Sequence, residues 1–152
     1  MPTEPRYLLI VACSQRKRSD PGLLPAIERY DGVAFRVLRK AKREGYWPEN
    51  LDVLILSAKY GLIKAATPIA CYEQRMTSER AIALNARVLE ELRSLVGRRD
   101  YTEVYIDLGR DYLPAIRGCA EVFNGLRVAY AEGRIGKRLK ELKDWLKARS
   151  EE

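Results

Sequence analysis

Tyr7-Leu-Leu-Ile-Val-Ala-Cys13, followed at once by Ser14-Gln-Arg-Lys-Arg18, is the stretch that decides the fold. A short unbroken apolar run ending in cations reads as a strand buried on both faces. Strands of that kind belong to parallel sheets with helices above and below. The change of character at Cys13 marks the carboxyl end of the strand, the end where such sheets hold their ligands.

The same handover recurs along the chain. Leu51-Asp-Val-Leu-Ile-Leu56 runs into Ser57-Ala-Lys-Tyr-Gly61, Thr102-Glu-Val-Tyr-Ile-Asp107 into Leu108-Gly-Arg-Asp-Tyr112, and Leu126-Arg-Val-Ala-Tyr130 towards Gly133-Arg-Ile-Gly136. Between them, Phe35, Val37, Leu38 and Ala41 predict a helix over residues 33–44 that Gly45 stops. Thr77 or Ser78 can cap a second helix reaching residue 96, with Ile82, Val88, Leu89, Leu92 and Leu95 inward. A third helix follows Tyr112 and tolerates Pro114 in its first turn, and a basic one covers residues 137–149. Residues 62–76 show no period. The expected architecture is one α/β domain over residues 1–152: a mostly parallel sheet of four strands or slightly more, helices on both faces, Rossmann-like, without repeats.

Composition narrows the chemistry. The 152 residues contain no histidine, which excludes imidazole bases, Ser-His and Cys-His pairs and histidine metal ligands. No metal and no cofactor are expected, and proton transfer falls to Asp, Glu, Lys, Tyr or Cys. Three cysteines at wide spacings suit a reducing compartment, so the cytoplasm is the expected location. The longest apolar run is far short of the ~20 residues of a membrane span. A net charge of +7 favours a phosphate-bearing small molecule or nucleic acid as partner.

Loops at the carboxyl ends of parallel strands share one edge, so four distant segments can meet there. Cys13-Ser14-Gln-Arg-Lys17, Ser57-Ala-Lys59-Tyr60-Gly61, Gly109-Arg110-Asp111-Tyr112 and Gly133-Arg-Ile-Gly136 each set a small residue beside a cation, as an anion-binding turn does. Neither the P-loop spacing nor G-x-G-x-x-G occurs. Gly133-Arg-Ile-Gly136 matches the clamping loop of KH domains only in letters, because it lies between a strand and a helix. Cys13, among cations at a strand end, is the candidate nucleophile, with a small buried core residue as the alternative. Lys59 is either a phosphate ligand or base, or a solvated lysine. Tyr72 and Tyr112 could stack on a ring or simply pack, and Asp111 could cap its helix.

Taken together, C-S-x-x-K at residues 13–17, Tyr30 with Phe35, Ser57-Ala-Lys-Tyr-Gly-Leu62, Pro68 with Tyr72 and Met76, Gly109-Arg-Asp-Tyr112 and the closing G-x-x-G resemble a bacterial and phage family of uncharacterised domains. That family looks related to the peroxide stress protein YaaA and, more remotely, to the core domain of archaeosine synthase. The resemblance implies a nucleic-acid or modified-nucleobase context, since the first is regarded as a DNA-binding stress protein and the second modifies a deazaguanine base in transfer RNA. Where archaeosine synthase continues Lys-Pro-Tyr, this chain has Arg16-Lys17-Arg18. The positions that match are Cys13, Ser14, Lys17, Ser57, Lys59, Tyr60, Gly61, Tyr72, Gly109 and Tyr112.

The leading expectation is a nucleotide- or nucleobase-directed enzyme, a transferase or glycosidic-bond enzyme in type. Cys13 or Lys59 reacts, while Ser14, Lys17, Ser57, Tyr60, Gly61, Tyr72, Gly109, Arg110, Tyr112, Gly133 and Gly136 bind substrate. The competing expectation is a non-catalytic DNA- or RNA-binding protein using the basic last helix.

Overall fold

Burial follows the apolar run. In the computed structural model, which describes residues 4–151, strand β1 (Tyr7–Ala12) holds Leu8, Leu9, Ile10 and Val11 fully buried. Such a strand needs cover on both faces, and two helical layers supply it. Helices α2 (Val33–Glu44) and α5 (Ile135–Ser150) pack together. Helix α3 (Ser78–Arg98) packs with a 3-10 turn at Leu113–Ile116 and with the single turn α4 (Cys119–Val122).

The sheet has five strands. β1 lies between β3 (Leu51–Ser57) and β6 (Glu103–Asp107), parallel to both, and β7 (Arg127–Tyr130) continues parallel beyond β6. The edge strand β4 (Gly61–Lys64) runs antiparallel to β3. The four parallel strands, numbered as the chain meets them, therefore stand in the order 2-1-3-4. The winding direction reverses between β1 and β6, and ligands of open α/β sheets bind in the crevice at the carboxyl ends beside such a reversal.

Several local expectations are corrected. β3 hands over to β4 and not to a helix, because Gly61 takes φ 75° and turns the chain back. Residues 62–76 contain that edge strand and β5 (Pro68–Ile69), which pairs with β2 (Leu24–Pro25) ahead of the one-turn α1 (Ala26–Arg29). The helix expected after Tyr112 is reduced to the 3-10 turn and α4. On α3 the buried stripe is Ala81, Leu84, Val88 and Leu92, so Ile82, one step round the helix, is 58% exposed. Thr77 is the cap, accepting from the Arg80 amide at 3.1 Å.

Not every cation of the last helix faces water. Arg138 pairs with buried Asp107 at 2.7 Å, and Arg149 with Glu103 at 2.5 Å. Two of the charges that made α5 look like a polyanion-binding face instead tie it to β6. Among the described residues no helix is long and apolar enough to cross a membrane.

Candidate functional site

Cys13 follows β1 directly, at the reversal of winding, and is 8% exposed. Its Sγ lies 3.4 Å from the Tyr112 hydroxyl, which donates to the Cys13 carbonyl at 3.1 Å. With the phenolic proton on that carbonyl, the thiol proton is left to point at the phenolic oxygen. Tyr112 arrives from the loop after β6, so the two strands flanking the crevice each supply one partner. Burial and the adjacent Cys13 push the Tyr112 phenol far above its ordinary range. It is a neutral proton carrier and not a phenolate.

Three hydroxyls form a ring, and the two phenols among them interact with Cys13. Tyr30 donates to Ser57 Oγ at 3.1 Å, Ser57 and Tyr72 are 3.0 Å apart, and Tyr72 and Tyr30 are 2.5 Å apart. One proton per hydroxyl satisfies every member if each donates to the next. Ser57 also accepts the amides of Lys59 and Tyr60 at 3.2 and 3.1 Å, so the turn at the end of β3 is organised around its oxygen. Burial raises the Tyr30 phenol to about 12 and the Tyr72 phenol further, with nearby Cys13 contributing to both.

Two ammonium groups lie near the aromatic ring of Tyr72. Lys17 Nζ lies 4.5 Å from the centre of the Tyr72 ring and Lys59 Nζ lies 5.6 Å from it, which places the two cations within about 10 Å of each other. Tyr60 packs edge-on against Tyr72 and carries Lys59 over its own face at 5.3 Å. A cleft of about 410 Å³, lined by Gln15, Lys17, Glu73, Gln74 and Arg75, opens beside Lys17. A larger hollow, of about 620 Å³, lies among Arg6, Asn50 and Arg98 at the opposite end of the sheet, away from these groups.

The scaffold comes from residues that carried no sequence signal. Among the described residues Arg29 is fully buried without a carboxylate in ion-pair contact. Its guanidinium donates to the carbonyls of Arg18, Asp20, Gly22 and Ile69 at 2.6 to 3.3 Å, bracing the loop after β1 against β5. From α3, Arg80 donates to the Ala58 carbonyl at 2.7 Å and Arg87 to the Tyr60 carbonyl at 2.8 Å, which holds the Lys59 turn. Gly32 packs so closely that a Cβ there would stand 2.7 Å from Ser14 Cβ. That approach lets the Gly32 amide donate to Ser14 Oγ, which itself donates to the Arg16 carbonyl.

The structure thus brings together Cys13, Lys17, Ser57, Lys59, Tyr60, Tyr72 and Tyr112, with Tyr30 added. Ser14 and Gly61 shape the adjoining turns. Gly109 adjoins the Arg138 guanidinium, and Arg110 is exposed on a neighbouring cleft. Gly133 and Gly136 lie beyond β7, with the Lys137 side chain folded against Gly133. They are not part of the cluster around the thiol. Asp111 accepts a hydrogen bond from Ser78 at 3.2 Å, and Cys119 is buried on α4. Cys71 is exposed.

A family model described as a family of unknown function, DUF6884, matches residues 8–144. No curated protein matches the chain. Among solved structures, the crystal structure of AF0587, described as a protein of unknown function, aligns at 13% identity with a TM-score of 0.55. The alignment covers 93% of this chain and 44% of that one, so the chain spans less than half of that neighbour's length. At this identity the likeness concerns the fold alone.

Proposed function

The chain belongs to the DUF6884 family, whose function is unknown, and from that premise we propose a nucleotide- or nucleobase-directed enzyme with Cys13 as its nucleophile. The observation that carries the reading is the contact between Cys13 Sγ and the Tyr112 hydroxyl at the winding reversal, with Lys17 and Lys59 gathered near the Tyr72 ring, whose phenol interacts with Cys13. The resemblance to the archaeosine synthase core and to YaaA supports a base as the group acted on.

The chemistry follows from the protons. The thiol sulfur adds to the carbon of a polar double bond on the base, forming an S–C bond while the π electrons move to the heteroatom. The substrate heteroatom replaces the Cys13 carbonyl as acceptor of the Tyr112 proton; the thiol proton then passes to the Tyr112 oxygen as the phenolic proton passes to that heteroatom, and Tyr112 ends neutral as it began. Lys17 and Lys59 hold the phosphate of the substrate, each as a point charge. Tyr30, Ser57 and Tyr72 act through position, keeping the Lys59 turn fixed.

A chloropurine riboside monophosphate tests this. Cys13 displaces chloride, an S–C bond replaces C–Cl, and the thiol proton leaves to solvent. Peptide mass mapping is expected to find the adduct on Cys13, formed at least several-fold faster than with the unphosphorylated riboside. The advantage of the phosphate disappears in Lys17→Ala/Lys59→Ala. Labelling confined to Cys71, or equal rates with and without phosphate, rejects the assignment.

A further inference from the structure

Beyond Tyr112 the carboxyl edge carries a second cleft that the Cys13 chemistry does not use. It holds about 490 Å³ and is lined by Arg110, Leu113, Pro114, Ile116, Arg117 and Tyr130 among others, with no carboxylate in the lining. Arg110 and Leu113 flank Tyr112, so the cleft begins where the thiol cluster ends. Among the described residues neither Arg110 nor Arg117 has an ion-pair or hydrogen-bonding side-chain partner.

The floor of this cleft is built. Asn85 of α3 donates to the carbonyls of Pro114, Ala115 and Arg117 at 3.0 to 3.2 Å, which fixes the 3-10 turn from beneath. Tyr130, at the end of β7, is 47% exposed, yet its hydroxyl is 3.7 Å from the buried Cys119 Sγ. An aromatic face held at its far end and open to water is a stacking surface. Leu113, 38% exposed, adds apolar surface to the lining. Tyr130 is in register with Ile106, and Ile106 with Ile10 of β1, so the ring stands two strand spacings, about 10 Å, across the sheet from the β1 end.

We propose that this cleft binds the nucleotide next to the one acted on, so the substrate is a single-stranded polynucleotide and not a free nucleotide. The flanking base stacks on Tyr130 and its phosphates meet Arg110 and Arg117. The chemistry selects this ligand: an aromatic face accepts any base, and unpaired guanidiniums with no competing carboxylate accept phosphate oxygens. The inference rests on the nucleobase reading above and deepens it.

Fluorescence anisotropy with labelled single-stranded DNA and RNA of mixed sequence, and competition by a nucleoside monophosphate, tests it in the full chain. Tyr130→Ala is expected to weaken strand binding by roughly 5- to 100-fold, the equivalent of one base stack, while Tyr130→Phe keeps most of it. Arg110→Ala and Arg117→Ala each lower the salt slope by about 0.7. Strand binding is read with no electrophile present, so its loss and the failure of Cys13 to react remain separable. Equal binding by Tyr130→Ala and the parent, or a monophosphate that competes as well as the strand, overturns the inference. Preference for DNA or RNA identifies the polymer and supports it either way.

Discussion

Replacing Ser57 by Ala should cost more than removing either phenolic hydroxyl beside it. Ser57 is fully buried and its hydroxyl has four partners: it accepts from Tyr30 and from the amides of Lys59 and Tyr60, and it donates to Tyr72. In Ser57→Ala the two phenols still bond each other, but one of their protons has no acceptor, which costs about 1–3 kcal/mol. The two amides lie in a half-buried turn where water can reach them, and together they add about 1 kcal/mol. The loss is about 2–4 kcal/mol, and with a urea m-value of about 2 kcal/mol/M it moves the unfolding midpoint down by about 1–2 M. Tyr72→Phe leaves all three donors on Ser57 in place and costs about 1–2 kcal/mol. Urea unfolding followed by far-ultraviolet circular dichroism checks both. A Ser57→Ala midpoint equal to the parent's, or a larger loss for Tyr72→Phe, refutes the shared-acceptor account.

Other consequences are equally direct. Gly32→Ala places a Cβ 2.7 Å from Ser14 Cβ, so it should destabilise by about 1–3 kcal/mol, and Gly32→Ala/Ser14→Gly should recover part of that in the same urea assay. Burial alone would raise the Glu103 carboxyl, but bonds from Arg149 and Trp145 outweigh it and hold the group below its ordinary range. A depressed folded pKa gives stability that is present above the unfolded value near 4.3 and lost as the pH falls through the folded one. Glu103→Gln should therefore flatten the fall in urea midpoint between about pH 5 and pH 2. Tyr30, with its pKa near 12, gives the opposite sign: its contribution holds below the unfolded value near 10 and fades as the pH rises towards the folded one. An alkaline absorbance titration should show Tyr30, Tyr72 and Tyr112 still protonated at about pH 11, with Tyr30→Phe removing one late-ionising group.

The apolar runs at Tyr7 and Leu51 were legible because a strand buried on both faces must be continuously apolar. The helix over Val33–Glu44 was legible because its period and its Gly45 stop agree. The reversal after Ser57 was not, since Ser-Ala-Lys-Tyr-Gly serves a strand-to-helix loop or a hairpin equally, and only pairing with β4 decides. Cys13, Lys59, Tyr72 and Tyr112 were readable as strand-end residues, but the role of Tyr30 and Ser57 as a hydroxyl ring needs contacts across 27 and 42 positions. Arg29 was invisible for a related reason. Nothing local distinguishes a solvated arginine from one whose guanidinium is closed by carbonyls of Arg18, Asp20, Gly22 and Ile69.

Alkylation of Cys13 by iodoacetamide in a Cys71→Ser background, with and without a nucleoside monophosphate, bears most directly on the thiol as the centre of a phosphate-capped site. The nucleotide is expected to slow Cys13 labelling at least several-fold, and Lys17→Ala/Lys59→Ala to abolish the protection while leaving the unprotected rate within about two-fold. Cys13 labelling that is indifferent to the nucleotide, or equally protected in the double variant, contradicts it.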